Sequence, residues 1–197
     1  QYVEGDCTYQ LDQTRVVVVN RRIVASLRIW ERRMRIGSSI VAMGGIGGVC
    51  THPDYRGLGY ATVLMKNAIE YMRTANYDVG VLFSIIPGKF YGKLGWTPLS
   101  LEGFRIVSRR IDALKDTNWR VETFNEGRDL NQVATLYDEY NLSHSGTIVR
   151  PRSYWDMAPS HLRDILPSVV ARSRDTLGGY LNFQIEGKQA KVLEVAF

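Results

Sequence analysis

The densest chemical signal in the sequence is the run Val49 to Thr62, VCTHPDYRGLGYAT. An apolar stretch leads into a tight loop holding Gly57 and Gly59, and the loop leads into a helix. N–H groups in the first turn of a helix lack intrahelical acceptors, and the helix dipole favours anions there. Gly57 and Gly59 let the backbone pass close to a bulky anion, and Arg56 adds positive charge. The segment therefore reads as a phosphate or pyrophosphate cradle. Two familiar cradles are excluded. None of the Gly-Lys pairs (Gly88-Lys89, Gly92-Lys93, Gly187-Lys188) has a glycine five residues before its own, because Phe83, Pro87 and Asn182 stand there, so there is no P-loop. A dinucleotide GxGxxG also fails, because Gly57-Leu58-Gly59 is followed by Tyr60-Ala61-Thr62. The pattern that fits is Arg-x-x-Gly-x-Ala, at Arg56, Gly59 and Ala61.

The elements around this loop change their periodicity on either side of it. Before it, residues 15–19 and 23–35 read as strands joined by a turn at Asn20-Arg21-Arg22. Ile40 to Met43 and Ile46 to Thr51 make another strand or two, with glycine pairs that allow bulges. An antiparallel meander is the economical interpretation. After the loop, Ala61, Leu64, Met65, Ala68, Ile69 and Met72 recur at spacings of three and four, an amphipathic helix ending near Asn76. Val79 to Ile86 is almost continuously apolar, as expected of a strand buried on both faces. Lys89 to Leu94 reads as a short helical turn stopped by Gly95, and Thr97 to Ile106 as a strand. Eleven of the 18 glycines fall between Gly37 and Gly95, so backbone freedom is concentrated around the cradle.

Asp112 to Asn118 is polar and reads as a connector. Beyond it come a strand (Trp119 to Phe124), a helix (Asp129 to Asn141), a short helical stretch (Pro151 to Asp164) and three strands (Val169 to Arg174, Gly179 to Ile185, Ala190 to Phe197). The 197 residues are enough for one domain or two small ones. Composition is that of a globular protein, with 45% hydrophobic and 23% charged residues. No apolar run reaches the roughly 20 residues needed to span a bilayer, and the polar opening is not a signal peptide. Cys7 and Cys50 are far apart and form no CxxC pair, which argues against a disulfide scaffold or a cysteine metal site and for a reducing, cytoplasmic setting. The net charge of +5 is compatible with an anionic partner. Six arginines between Arg21 and Arg35 alternate with apolar residues, which reads as a solvated basic strand face, with a rim for an anionic ligand as the sharper alternative and nucleic-acid binding ranked last.

The Arg56/Gly59/Ala61 loop, after a meander and before an amphipathic helix, resembles the pyrophosphate loop of the GNAT superfamily of N-acetyltransferases. A second block, SIIPGKFYGKLGW from Ser84 to Trp96, is similar to that superfamily's motif after its buried strand: Tyr91 precedes a Gly-x-x-Gly-aromatic stretch, Gly92 to Trp96. The resemblance covers residues 13–107. It implies an α/β (α+β) GNAT acyltransferase fold with a mixed, mostly antiparallel sheet flanked by helices, and acetyl-CoA as donor. On this resemblance, amides of Arg56, Gly57, Leu58, Gly59, Tyr60 and Ala61 hold the pyrophosphate, and Val49 and Thr51 pair with the pantetheine arm. Tyr91 is the expected catalytic residue. Acetyl transfer to an amine expels the CoA thiolate, and phenols and thiols, with ordinary pKa values of about 10 and 8.5, are close enough for proton transfer. No general base can be assigned: Glu31 reads as one of a charge group with Arg28, Arg32 and Arg33, and His52 as loop packing. Cys50 reads as facing the core rather than as a nucleophile. Ser84 either bonds the backbone or reaches the thioester region, and no metal site is expected.

Within the superfamily the sequence is most similar to the Eis-type tandem-GNAT enzymes. That resemblance gives residues 1–111 as a GNAT domain lacking its first elements, 112–118 as a connector and 119–197 as a second, degenerate and incomplete GNAT-like domain. Without an initiating Met, the chain reads as part of a longer protein. The implied activity is acetyl transfer to a primary amine, which could be aminoglycoside-like, a polyamine or a lysine side chain. Hexameric assembly is implied as well, with no nucleic-acid or membrane partner. The alternative is a non-catalytic GNAT-fold module that binds an acyl-CoA or a partner.

Overall fold

The computed structural model describes residues 6–86, 88–100, 118–156 and 166–197. The chain divides into two compact units, one formed by Thr8–Met34 and Ser39–Phe104, the other by Gln1–Cys7, Arg35–Ser38 and Arg105–Phe197. In the N-terminal unit, β1 (Thr14–Val19), β2 (Arg22–Ile36), β3 (Ser39–Thr51) and β4 (Val79–Leu82) lie side by side in that order. β1 and β2 are antiparallel. Asn20 and Arg21 both take positive φ in the turn between them, the geometry that matches the right-handed twist of a two-stranded ribbon. β3 and β4 run parallel, so the chain must cross over between them, and helix α1 (Tyr60–Thr74) is that crossover.

Helix α1 buries Leu64, Met65, Ala68 and Met72. These pack on Ala25, Leu27 and Ile29 of β2 and Ile46 of β3 in one cluster. A side chain at Gly44 would meet the Met72 sulfur at 2.4 Å, so the helix lies as close to the sheet as a bare backbone allows. The two expected strand pieces, Ile40 to Met43 and Ile46 to Thr51, are one strand.

Several expectations fail in this unit. The strand expected over Val79 to Ile86 ends at Leu82, and its residues are half-buried rather than enclosed on both faces. Its register pairs with β3 stop at Ile46↔Leu82, and the chain then leaves the sheet with Phe83 and Ile85 in solvent. The arginines of β2 are not simply a solvated face. Arg28 is only 7% exposed, its guanidinium 3.6 Å from the Trp30 ring centre and 4.4 Å from that of Tyr9, so stacking replaces hydration. Thr97 to Ser100 is not a strand, and 101–106 of that expected strand lies outside the described residues, as do 112–117 of the connector.

The C-terminal unit has an antiparallel sheet in the order β5 (Arg120–Thr123), β7 (Val169–Ser173), β8 (Thr176–Glu186), β9 (Gln189–Ala196). Helix α3 (Glu126–Asn141) covers it with Leu130, Val133 and Tyr137. The helix starts three residues before the expected Asp129, because Asn125 caps it by accepting the Arg128 N–H at 3.1 Å. β6 (Ile148–Val149) is a two-residue strand, and α4 (Arg152–Trp155) lies within the expected helical stretch. Residues 157–165, His161 among them, lie outside the described residues. Trp155 is buried edge-on to Tyr137 at 5.6 Å. His144 stacks on Tyr140 with Nδ1 2.7 Å from its carbonyl, a capping contact.

Buried charge organises this unit. The Asp129 carboxylate is fully buried, 2.6 Å from Arg172 and 2.7 Å from Arg128, and it accepts the Asn125 N–H at 2.9 Å. Hydrogen bonds from Arg128 hold its pKa below the usual 3.8 against the effect of burial, aided by the Asn125 N–H and the charge of Arg172. Because the native pKa is depressed, the stabilisation is present above the unfolded value and is lost as pH falls through the native one. Asp129→Asn is therefore expected to destabilise the unit at neutral pH by about 3–5 kcal/mol, the cost of breaking a buried pair. It is also expected to weaken the fall in stability on acidification. Urea titration with hydrogen exchange of the α3 peptide measures both, and an unchanged midpoint at neutral pH refutes the assignment.

Candidate functional site

The site begins where the β3–β4 ladder ends. The parallel pairs run from Met43↔Val79 to Ile46↔Leu82 and then stop, while β3 continues to Thr51. Gly48, at φ +62°, lies just past the last pair, in a region of φ that L side chains avoid. Before it, Gly44 and Ile46 are buried; after it, Val49 packs on the core and Cys50 is exposed. The irregularity has moved the inward side of the strand from even to odd positions. This overturns the expectation that Cys50 faces the core: its sulfur is 3.2 Å from the Ser26 hydroxyl on the outer side.

Beyond Thr51 the chain makes a tight turn. His52 Nδ1 accepts the Asp54 N–H at 3.4 Å, and its ring meets the edge of Tyr55 at 5.7 Å, which is the loop-packing role expected of it. The Arg56 N–H donates to the Pro53 carbonyl at 3.2 Å, so the expected contribution of the Arg56 amide is corrected: that donor is already used. The Arg56 side chain remains at the site, with Nε 3.3 Å from the Thr51 carbonyl. The amides of residues 57–62 donate to no described residue. Gly59 is the N-cap of α1 at φ +82° and no side chain caps it, so a helix of 15 residues presents an open N-terminus. A side chain built on Gly57 or Gly59 would meet nothing within 4 Å.

These pieces converge on one groove of about 540 Å³. Of the residues singled out from sequence, Val49, Thr51, Arg56, Gly57, Gly59, Tyr60, Ala61 and Tyr91 line it. Leu58 does not; its side chain is 63% exposed, and only its backbone belongs to the loop. The sequence reading missed Cys50, Tyr55, Thr62, Ile86 and Phe90 on the walls. Tyr55 and Thr62 flank the loop motif and could have been taken with it. Cys50 was hidden by the irregularity at Gly48.

Tyr91 sits on a short helix, α2 (Lys89–Gly92), and its carbonyl accepts the N–H groups of Leu94 at 2.9 Å and Trp96 at 3.2 Å. Trp96 in turn rests on Gly80 of β4, where an added side chain would meet the ring at 2.8 Å. The Gly-x-x-Gly-aromatic motif thus ties the Tyr91 backbone to the sheet. The Tyr91 side chain is edge-on to Phe90 at 4.9 Å and the residue is 8% exposed, yet no described residue hydrogen-bonds its hydroxyl. Ser84 turns back on its own chain, accepting the Ile86 N–H at 3.1 Å. Glu31 accepts from Gln13 at 3.2 Å and from the Tyr77 hydroxyl at 3.1 Å and does not line the groove. Among the described residues there is no His/Cys/Asp/Glu group able to hold a metal ion, and no helix long and apolar enough to cross a membrane.

Comparison with known proteins agrees with this architecture. The family model for the acetyltransferase (GNAT) domain matches residues 4–99. No curated protein matches the chain in sequence. Among solved structures, a GCN5-related N-acetyltransferase from Anabaena variabilis superposes with a TM-score of 0.70 at 18% identity, over 99% of this chain and 50% of its own. A probable N-acyltransferase from Enterococcus faecalis gives 0.68 at 15% identity, over 93% and 47%. Eis1 from Mycobacterium abscessus gives 0.62 at 14% identity, over 93% and 49%. The chain thus spans about half the length of each. The loop, the ended ladder and the family match together place residues 4–99 in the GNAT family of acetyltransferase domains.

Proposed function

We propose that this domain transfers an acetyl group from acetyl-CoA to a primary amine by direct attack, with Tyr91 as general acid. Aminoglycoside-like compounds, polyamines and lysine side chains are the candidate acceptors. One observation carries the reading: a nine-tenths-buried tyrosine, whose hydroxyl has no partner among the described residues, shares a groove with an uncapped helix N-terminus. The free amides of 57–62 and the Arg56 guanidinium suit a pyrophosphate. The N–H and C=O groups of β3 beyond Ile46, released from β4, suit the amide-bearing pantetheine arm. Acetyl-CoA would supply the activated acetyl group as a thioester whose sulfur departs as a thiolate. Tyr91 is placed to give that sulfur its proton, and the buried ring holds the hydroxyl without competing acceptors. Among the described residues no carboxylate or imidazole lines the groove, and the proton of the incoming ammonium passes to solvent.

We also read the C-terminal unit as a degenerate second copy of the fold. Its strands β7, β8 and β9 lie side by side in chain order, as β1, β2 and β3 do in the N-terminal unit.

Gly59→Val places a β-branched residue at φ +82°, which costs about 1–2 kcal/mol in the loop and fills the cradle. Acetyl-CoA affinity, measured by calorimetry, is expected to fall at least about tenfold, the equivalent of 1.4 kcal/mol. Tyr91→Phe is expected to lower kcat by about 10²-fold or more while leaving acetyl-CoA affinity within a few-fold. Thiol release over a panel of amines reads the rate. Binding without turnover on any amine would favour the non-catalytic module, and full turnover by Tyr91→Phe would remove Tyr91 from the acid role.

A further inference from the structure

We infer that the acceptor is an amine carrying a single positive charge on an apolar body, and that the segment from Phe83 to Ile86 selects it. The inference rests on the donor-groove reading above and narrows its acceptor. The first observation is charge. Residues 39–53, 55–69 and 79–100 supply every described lining residue of the groove. These stretches contain no Asp or Glu, while they contain Arg56, Lys66, Lys89 and Lys93. Asp54, between the first two, is turned toward His52, its Oδ2 3.8 Å from Nδ1. A polycation brought to this surface meets like charge and no carboxylate to pair with. Acceptors with several ammonium groups, aminoglycosides and polyamines among them, are disfavoured there relative to an amine with one.

The second observation is the course of the chain after the β3–β4 ladder ends. Ser84 accepts the Ile86 N–H at 3.1 Å in a tight turn. Ile86 lines the groove with Phe90 and Tyr91 and is still 49% exposed, so it stands at the rim. Ile85 beside it is fully exposed, and Phe83 is 84% exposed. Single exposed apolar residues are ordinary, but a contiguous group at the rim of a groove marks a binding surface. The amides of 57–62 and Arg56 suit the pyrophosphate end of the donor, so its thioester lies at the Tyr91 end. The attacking amine has to reach it there, and the body that carries the amine then lies along this rim. Covering Ile86, Ile85 and Phe83 favours an alkyl or aryl body over a polar one. The reaction is the one proposed above: the amine nitrogen bonds the acetyl carbon and the carbon–sulfur bond breaks. Of the two protons the ammonium sheds, one goes to solvent, and the other replaces the proton that Tyr91 gives to sulfur.

The test measures thiol release by the whole chain with hexylamine, spermidine, kanamycin and lysine blocked at its α-amine and carboxyl. Acetyl-CoA binding is followed in parallel by calorimetry. Hexylamine and blocked lysine present the same single ammonium on an unbranched apolar stem, and only the lysine carries polar amides at the far end. The expected kcat/KM for hexylamine is at least about tenfold above that of each of the other three, as loss of a buried apolar contact or of charge matching allows. Ile85→Glu, at an exposed position, is expected to move the hexylamine-to-spermidine ratio toward spermidine by about tenfold. Acetyl-CoA affinity should stay within a few-fold in that variant. Turnover with a smaller preference over any of the three, or a ratio that Ile85→Glu leaves unchanged, overturns this inference and leaves the donor-groove reading standing. An absence of donor binding, or binding without turnover of any amine, overturns it together with the proposed activity.

Discussion

The N-terminal unit depends on one interruption, the loss of β4 as a partner of β3 after Ile46↔Leu82. Paired parallel strands lie about 4.8 Å apart, with no room between them for a ligand. Once the ladder stops, β3 is held only from the β2 side, where the His52 N–H still reaches the Val24 carbonyl at 2.8 Å. Its other edge has no described strand beside it beyond Ile46, and the Thr51 carbonyl there accepts from Arg56 Nε at 3.3 Å. The cost of leaving backbone groups unpaired is tolerable there because the edge borders an open groove rather than packed interior. Every wall of the groove follows from that opening: the loop enters from the end of β3, α1 starts beside it, and α2 brings Tyr91 across from the end of β4.

The interruption also explains which features were legible in the sequence. Local chemistry was legible. The glycine loop, the spacing of three and four along α1 and the Gly-x-x-Gly-aromatic stretch each encode their structure within a few residues, and the structure gathers eight of the nine residues singled out for the site. Features fixed by pairing were not legible. Val79 to Ile86 is apolar throughout, but apolarity does not record where a neighbouring strand stops, so Phe83 and Ile85 belong to a strand in pattern and to solvent in fact. Cys50 was misplaced for the same kind of reason. Strict alternation carries the inward side from Ile46 to Gly48 and Cys50, whereas one residue at positive φ moves it to Val49.

Arg28 and Arg56 show the limit for charged groups. Their sequence context announces cations, but the role of each is set by contacts distant in sequence. Arg28 is stacked on Trp30 and Tyr9 and stays buried in the sheet face. Arg56 keeps its guanidinium at the groove while its own amide is spent on Pro53. Charge counting alone would have given both the same ligand-facing role.

Titration behaviour points away from the groove. Perturbed groups are expected to cluster at functional sites. Here burial pushes the Tyr137 phenol up to about 12 and the Tyr180 phenol higher still, with Glu194 adding to both, and hydrogen bonds hold Asp129 low. In the C-terminal unit Tyr137 donates to the Ile148 carbonyl, Tyr180 donates to Glu194, and Glu194 pairs with Arg150. In the N-terminal unit burial also raises Tyr77 and Tyr71, which donate to Glu31 and Asp12 away from the groove. The perturbation in the C-terminal unit is the signature of a buried, largely paired network that fixes packing, in which Arg150 Nε, Arg172 Nε and Trp155 Nε1 are left without a hydrogen-bond partner among the described residues. The groove differs: its distinguishing polar atoms, the amides of 57–62 and the Tyr91 hydroxyl, have no partner among the described residues. In this chain it is the open helix start, with backbone amides facing the groove, rather than a shifted acid, that distinguishes the surface suited to a ligand.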